Sequence, residues 1–251
     1  MRPDASKKLA AAAPKKGPNP IVIGAVVAIV LIVGVVVAIL IGNSSKSVSA
    51  NDQAGGSGSA QPLGVVTSDD GGILANATTA KGNAPTLDLY EDFQCPTCGA
   101  LEKAMGPTFA SMAKTGEIKL VVHTLSFLDD NLKNDSSKRS ANAVACASDA
   151  GKFLAYHAAV FAAQPAQEGA GYTDAQLTGF ATEAGITGAA LTTWQQCTTS
   201  GQHDQYVVDT QDKAGRAGIN STPTVKLNGK NITESLSTPA ALVAQVKAAT
   251  K

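Results

Sequence analysis

Two cysteines three positions apart, Cys95 and Cys98, stand in "DFQCPTCGALEKAM" (Asp92–Met105), where an apolar-periodic run begins. A pair at this spacing can hold zinc, lock a structural disulfide, or cycle between dithiol and disulfide. The chain has only four cysteines, and fifty residues separate the other two, Cys146 and Cys197. Zinc asks for four ligands, usually as two close pairs, and neither Cys146 nor Cys197 has a cysteine or histidine at metal spacing. His123 sits in an apolar strand, His157 on a mostly apolar helix face and His203 near a helix start, where a structural or solvated role is the plainer one. No metal is therefore expected. The choice between a static and a working disulfide depends on what surrounds Cys95.

"TLDLYEDF" (Thr86–Phe93) is apolar and aromatic enough for a buried strand. From Thr97 to Lys114, Leu101, Ala104, Met105, Phe109 and Met112 recur at helical spacing, and Gly106-Pro107 should kink that helix or break it in two. Cys95 thus stands between a strand and a helix N-terminus, with Pro96 suited to the first helical turn. Unpaired N–H groups and the helix dipole favour negative charge there, so the Cys95 thiol should titrate below its ordinary value. Cys98 lies one turn on and should be more covered, leaving Cys95 as the exposed sulfur.

"EIKLVVHTL" (Glu117–Leu125) is the next strand. Between Ser136 and Gly218 there is no convincing strand, and four or five helices fit, one opened by a capping box from Thr173 to Gln176. "PTVKLNGKNI" (Pro223–Ile232) reads as a hairpin turning at Asn228-Gly229. "STPAALVAQVKAAT" closes the chain as a helix capped by Ser237 or Thr238, with Pro239 at its first position.

The N-terminal quarter sets the compartment. Residues 1–20 carry Arg2, Lys7, Lys8, Lys15 and Lys16 against Asp4, while the remaining 231 residues hold 15 basic and 19 acidic side chains. No basic stripe appears in that larger part, so nucleic acid is not an expected partner. Ile21 to Ile41 has 21 residues and no polar or charged side chain. A helix of that length spans roughly 31 Å, a bilayer's hydrocarbon core. A signal-peptide core runs only about 7–15 residues. The expectation is a single uncleaved transmembrane helix over 21–42, with 1–20 cytoplasmic and everything later outside, where disulfides persist. A Gly/Ser/Asn/Gln-rich tether over 43–63 follows, and the main domain occupies 64–251.

"DLYEDFQCPTC", then a helical block, then "STPTVKLNG" resembles the DsbA-like branch of the thioredoxin superfamily, in particular its membrane-anchored actinobacterial members. The resemblance covers roughly Gly64 to Lys251. It implies an α/β thioredoxin fold, in parts at about 64–130 and 203–251, with an α-helical domain inserted at about 136–202. It also implies dithiol–disulfide exchange with exported proteins, Cys95 attacking and Cys98 resolving. Family members hold a cis proline opposite the CxxC, which places Thr222 and Pro223 beside Pro96 and Thr97 as the substrate-binding surface. An X–Pro bond taken on sequence alone would be trans. Cys146 and Cys197 resemble the extra pair that actinobacterial relatives use as a structural disulfide.

Two departures stand out. The dipeptide between the cysteines is Pro-Thr, whereas the best-known strong oxidant of the family has Pro-His. A buried acid often found six residues before the first cysteine is replaced by Leu89, with Asp88 and Glu91 out of register. Neither acid joins the expected catalytic set. The function expected is donation of the Cys95–Cys98 disulfide to reduced exported proteins during oxidative folding. Reoxidation would fall to a membrane partner resembling vitamin-K epoxide reductase, and no cofactor is required. The alternatives are a reductase or isomerase of exported disulfides, or a thioredoxin-like module that binds clients without chemistry.

Overall fold

The computed structural model describes residues 60–66 and 71–250. The expected basic tail, the transmembrane helix and the tether as far as residue 59 lie outside the described residues. Among the described residues, no helix is long and apolar enough to cross a membrane.

The elements in chain order are β1 (Ile73–Leu74), β2 (Thr86–Glu91), α1 (Pro96–Thr115), β3 (Lys119–Thr124), α2 (Leu128–Leu132), α3 (Ser136–Asp149) and α4 (Phe153–Ala162). They continue with α5 (Asp174–Glu183), α6 (Ala189–Thr199), α7 (Asp204–Arg216), β4 (Thr224–Leu227), β5 (Lys230–Asn231), a 3-10 turn (Thr233–Ser235) and α8 (Pro239–Ala249). The five strands form one sheet in the order β1-β3-β2-β4-β5. β2 runs parallel to β3, with Leu89 opposite Val122, and antiparallel to β4, with Leu89 opposite Val225. This is a thioredoxin-like α/β fold carrying a helical insert between β3 and β4. β1 and α2 carry too few apolar residues to be read from periodicity.

Alternation along β2 assigns its faces. Leu87 and Leu89 join the main core, whereas Tyr90 joins a smaller cluster with Leu125, Ala214 and Ile219. α1 packs against β3, α4 and α8, and α7 packs against β3. α1 runs unbroken through Pro107 and ends on Gly116, at φ +69°. An added Cβ there would sit 2.3 Å from the Thr79 carbonyl oxygen, so glycine serves both the left-handed turn and the close approach. Ala104, expected inward, is exposed; the inward stripe is Cys98, Met105, Phe109, Met112 and Ala113.

α3 is buried along nearly its whole length. It is held by the Trp194 indole donating to the Ala143 carbonyl at 3.1 Å and by a Cys146–Cys197 disulfide to α6, Cα–Cα 6.0 Å. The capping box at Thr173 closes the start of α5 in both directions, and Thr238 caps α8. The end of the polar stretch is fastened to the insert. Asp149 accepts from the Leu63 N–H at 2.8 Å, the Ser148 hydroxyl donates to the Leu63 carbonyl at 2.7 Å, and His203 lies 2.7 Å from the Ala60 carbonyl.

Candidate active site

β2 ends at Glu91, and the chain turns through Asp92–Gln94 before α1 starts. Asp92 braces that turn: its carboxylate accepts from the Gln94 N–H at 2.9 Å, from the Ser137 hydroxyl and from the Leu128 N–H at 3.3 Å. Burial nevertheless holds the Asp92 carboxyl up at about 6, against the downward pull of those bonds. The Gln94 amide reaches Asp129, Asn134 and Ser137 at 2.8–2.9 Å. Strand end and insert are thereby fixed to each other just before the first cysteine.

Cys95 is the residue preceding α1, extended at φ −75° and ψ 117°, with Pro96 at the first helical position. Both CxxC thiols are free, so the structure is the dithiol form. Cys98 is 0% exposed and Cys95 only 7%, so the first cysteine is largely covered rather than openly exposed. Pro96 and Thr97 are exposed beside it. The Thr222–Pro223 peptide bond is cis. The Thr222 carbonyl oxygen lies 3.5 Å from Cys95 Sγ and 3.3 Å from the Thr97 hydroxyl, and that hydroxyl is 3.0 Å from Cys95 Sγ. Thr222, Thr97 and Cys95 thus meet at one point beside Pro96, although Thr97 and Thr222 are 125 positions apart.

The Cys95 thiol is lowered to about 5. The largest cause is the hydrogen bond donated by the Cys98 thiol, which works against the burial of Cys95 itself. Thr97, Thr222 and the Cys98 backbone N–H follow as smaller contributions. Helix position alone is therefore not the whole cause, since the second cysteine does most. Cys98 is pushed far up, first by burial, then by its bond to Cys95 and by the charge on Glu91. One sulfur is a thiolate at neutral pH and the other a thiol that donates to it. This is the division of labour that exchange requires, because only the thiolate attacks.

A second group was not anticipated. Glu91 is 1% exposed and faces Glu102 on α1 and His157 on α4. Burial raises the Glu91 carboxyl well above its ordinary range, with the charge on Cys95 adding to the rise. Glu102 is raised to about 8, chiefly by burial and then by Glu91, and burial lowers His157. Two sequence signals pointed here. Glu91 shares a strand face with Leu89, and Glu102 lies four residues after Cys98, beside the inward stripe of α1. Asp88, on the other face, is 3.3 Å from His123.

Among the described residues, two groups have metal-ligand composition: Cys146, Cys197 and His203, and Glu91, Glu102 and His157. The first has its sulfurs committed to a disulfide.

The thioredoxin family profile matches residues 78–248. DsbA from Mycobacterium tuberculosis, in its reduced form, is 30% identical, covering 68% of this chain and 89% of its own with a TM-score of 0.57. The chain belongs to the DsbA-like branch of the thioredoxin family. The reduced disulfide oxidoreductase DsbG of the same organism is also 30% identical, over 68% of this chain and 85% of its own, TM-score 0.57. MdbA, a thiol–disulfide oxidoreductase from Corynebacterium diphtheriae, shares the fold at 21% identity, over 74% of this chain and 94% of its own, TM-score 0.60. Among curated proteins no match was found. This DsbA-like chain is thus a thiol–disulfide oxidoreductase.

Proposed function

We propose that this oxidoreductase works as an extracytoplasmic oxidase, passing the Cys95–Cys98 disulfide to reduced exported proteins. The observation that carries the reading is the Cys95 thiol at about 5, because a thiolate stabilised in the dithiol form makes the disulfide a stronger oxidant. In the forward step a client thiolate attacks Cys95 Sγ, and the Cys95–Cys98 bond breaks with its electron pair going to Cys98 Sγ. That sulfur takes a proton, as its raised affinity demands. A second client thiolate then attacks the client sulfur of the mixed disulfide, closing the client's own disulfide and expelling Cys95 as a thiolate. Two electrons pass from client to dithiol. Cys95 is the better leaving group of the two, so the mixed disulfide resolves toward the client.

The Thr222 backbone beside Cys95 offers main-chain pairing to an extended client, with Pro96, Thr97 and Pro223 flanking it. The Cys146–Cys197 disulfide supports an oxidising compartment. With the apolar 21–42 segment and the basic residues before it, this supports a single-pass anchor that keeps the catalytic domain outside the cytoplasm. A membrane reoxidase resembling vitamin-K epoxide reductase would return the dithiol to the disulfide.

The test is oxidation of a reduced, unfolded secreted protein by the stoichiometric oxidised chain, with trapping by Cys98→Ala. Rapid client oxidation, lost in Cys95→Ser, and mixed disulfides through Cys95 are expected. Turnover of scrambled disulfides alone, starting from the dithiol, would replace the oxidase with an isomerase.

A further inference from the structure

Beneath the dithiol, three side chains meet that the exchange steps leave unused. Glu91 ends β2, Glu102 is one turn past Cys98 on α1, and His157 is midway along α4. Their ligand-type atoms all lie within 4.8 Å of one another. His157 Nε2 is 3.0 Å from Glu91 Oε2. The other oxygen, Glu91 Oε1, is buried and meets no N–H or hydroxyl donor. The remaining group against this carboxyl is that of Glu102, itself a carboxyl. Two facing carboxyls, Glu91 fully buried and Glu102 half-buried at a cavity wall, repel when both are ionised and can share a hydrogen bond only when one holds a proton. A cation between them, a proton or a metal ion, removes that repulsion.

We propose that Glu91, Glu102 and His157 form a binding site for a divalent transition-metal ion of the zinc class. The donor set favours such an ion: calcium and magnesium take oxygen alone, whereas imidazole with carboxylates suits zinc and its neighbours. Geometry agrees. Ligands about 2.0–2.1 Å from one tetrahedral zinc stand roughly 3.3 Å apart, and His157 Nε2 and Glu91 Oε2 are already 3.0 Å apart. Access exists too, since Glu102 and His157 line a cavity of about 650 Å³ beside α1 and α4. The cavity leaves a fourth position for water or a small ligand. The three ligands come from β2, α1 and α4, so a bound ion would join the helical insert to the thioredoxin part under the CxxC. The inference needs neither thiol and stands apart from the direction of exchange.

The experiment uses the full chain with Cys95 and Cys98 oxidised, because free thiolates would take zinc themselves. Zn²⁺ is titrated against a chromophoric chelator, and the zinc shell is read by X-ray absorption. One Zn²⁺ per chain is expected, in a nitrogen and oxygen shell without sulfur, with at least tenfold weaker binding in Glu102→Gln and in His157→Gln. Circular dichroism checks that each variant is folded, and if His157→Gln is not, Glu102→Gln decides, since it keeps the side chain's shape at the cavity wall. The site is overturned if the oxidised chain takes no Zn²⁺, if sulfur appears in the shell, or if Glu102→Gln binds as tightly as the parent. Any of these would leave a proton as the cation between the two glutamates.

Discussion

Gln164, two residues past α4, donates its side-chain amide to the Cys95 carbonyl oxygen at 2.9 Å. The same nitrogen reaches the Phe93 carbonyl at 2.9 Å. The insert therefore grips the backbone on both sides of Gln94. Gly99 makes room for the grip, since a Cβ at that position would lie 2.0 Å from Gln164 Oε1. Gln164→Ala should lower stability by about 0.5–1.5 kcal/mol, the net worth of a hydrogen bond, because each carbonyl keeps a second donor, the Gly99 N–H at 3.1 Å for Cys95 and the Tyr172 hydroxyl at 3.3 Å for Phe93. Gly99→Ala should weaken the same contact by displacing the amide, at a smaller net loss because alanine favours the helix. The double variant should be little worse than either single one, because both remove one contact. Urea denaturation of the four proteins measures this, and fully additive losses would show that Gln164 is not what Gly99 accommodates.

The Thr97 hydroxyl has one hydrogen and two acceptors in reach, Cys95 Sγ at 3.0 Å and the Thr222 carbonyl at 3.3 Å. A thiolate outcompetes a carbonyl for that hydrogen. Thr97→Val keeps the shape, is exposed and removes only the donor. The Cys95 thiol should rise from about 5 by about one pH unit, the low end for a bond to a charged group at a solvent-screened site. A weaker oxidant should result. Alkylation rate against pH reads the shift directly, and an unmoved midpoint would leave Cys98 as the donor that matters.

The lowered thiol also fixes how stability depends on pH in the reduced form. Cys95 moves from an ordinary 9.0 in the unfolded chain to about 5 in the folded one. A depressed acid stabilises the fold fully above the unfolded value, and the gain is lost as pH falls through the folded value. Cys98, pushed up, is protonated in both states below about 8.5, so it cancels there. The oxidised form has neither thiol, and its carboxyls match those of the reduced form except that Glu91 loses the lesser rise due to the Cys95 charge, a partial offset. The reduced-minus-oxidised difference in unfolding free energy should therefore increase steadily from pH 5 to pH 8.5. Denaturant titrations of both forms across that range would show it, and a flat difference would mean that Cys95 is not held as a thiolate.

The elements that carry the dithiol were legible because each has a strong local signal. β2 is a short apolar run, Pro96 marks a helix start, and Asn228-Gly229 turns the β4–β5 hairpin at φ 49° and 79°. Thr222 beside Cys95 was not visible in any local pattern, since they are 127 positions apart and only the family resemblance joins them. The Glu91–Glu102–His157 group escaped for a different reason. Inward faces were traced through apolar residues, so Glu102, half-buried one turn past Cys98, drew no reading. Burial of a charge is a tertiary outcome, set here by α4 lying across α1, and periodicity cannot show which polar residue a later helix will cover. At Gly106-Pro107 the break that the sequence allowed does not occur, and α1 continues through it.

Cys146 and Cys197 join α3 to α6 across a separation of 51 residues. Both lie in the core, at 2% and 6% exposure, within the helical insert. Closing a loop of that length restricts the unfolded chain by about 4 kcal/mol in the chain-entropy account. Cys146→Ala with Cys197→Ala should therefore lower unfolding free energy by about 4 kcal/mol or somewhat more, since two buried sulfurs are also lost. The pair does not touch Cys95, Thr97 or Thr222, so the double variant, assayed below its new Tm, should oxidise clients at close to the parent rate. Denaturation and client oxidation measured side by side separate the two effects. Undiminished stability would remove the structural role, and a collapse of exchange in the folded variant would recast the pair as part of the electron path.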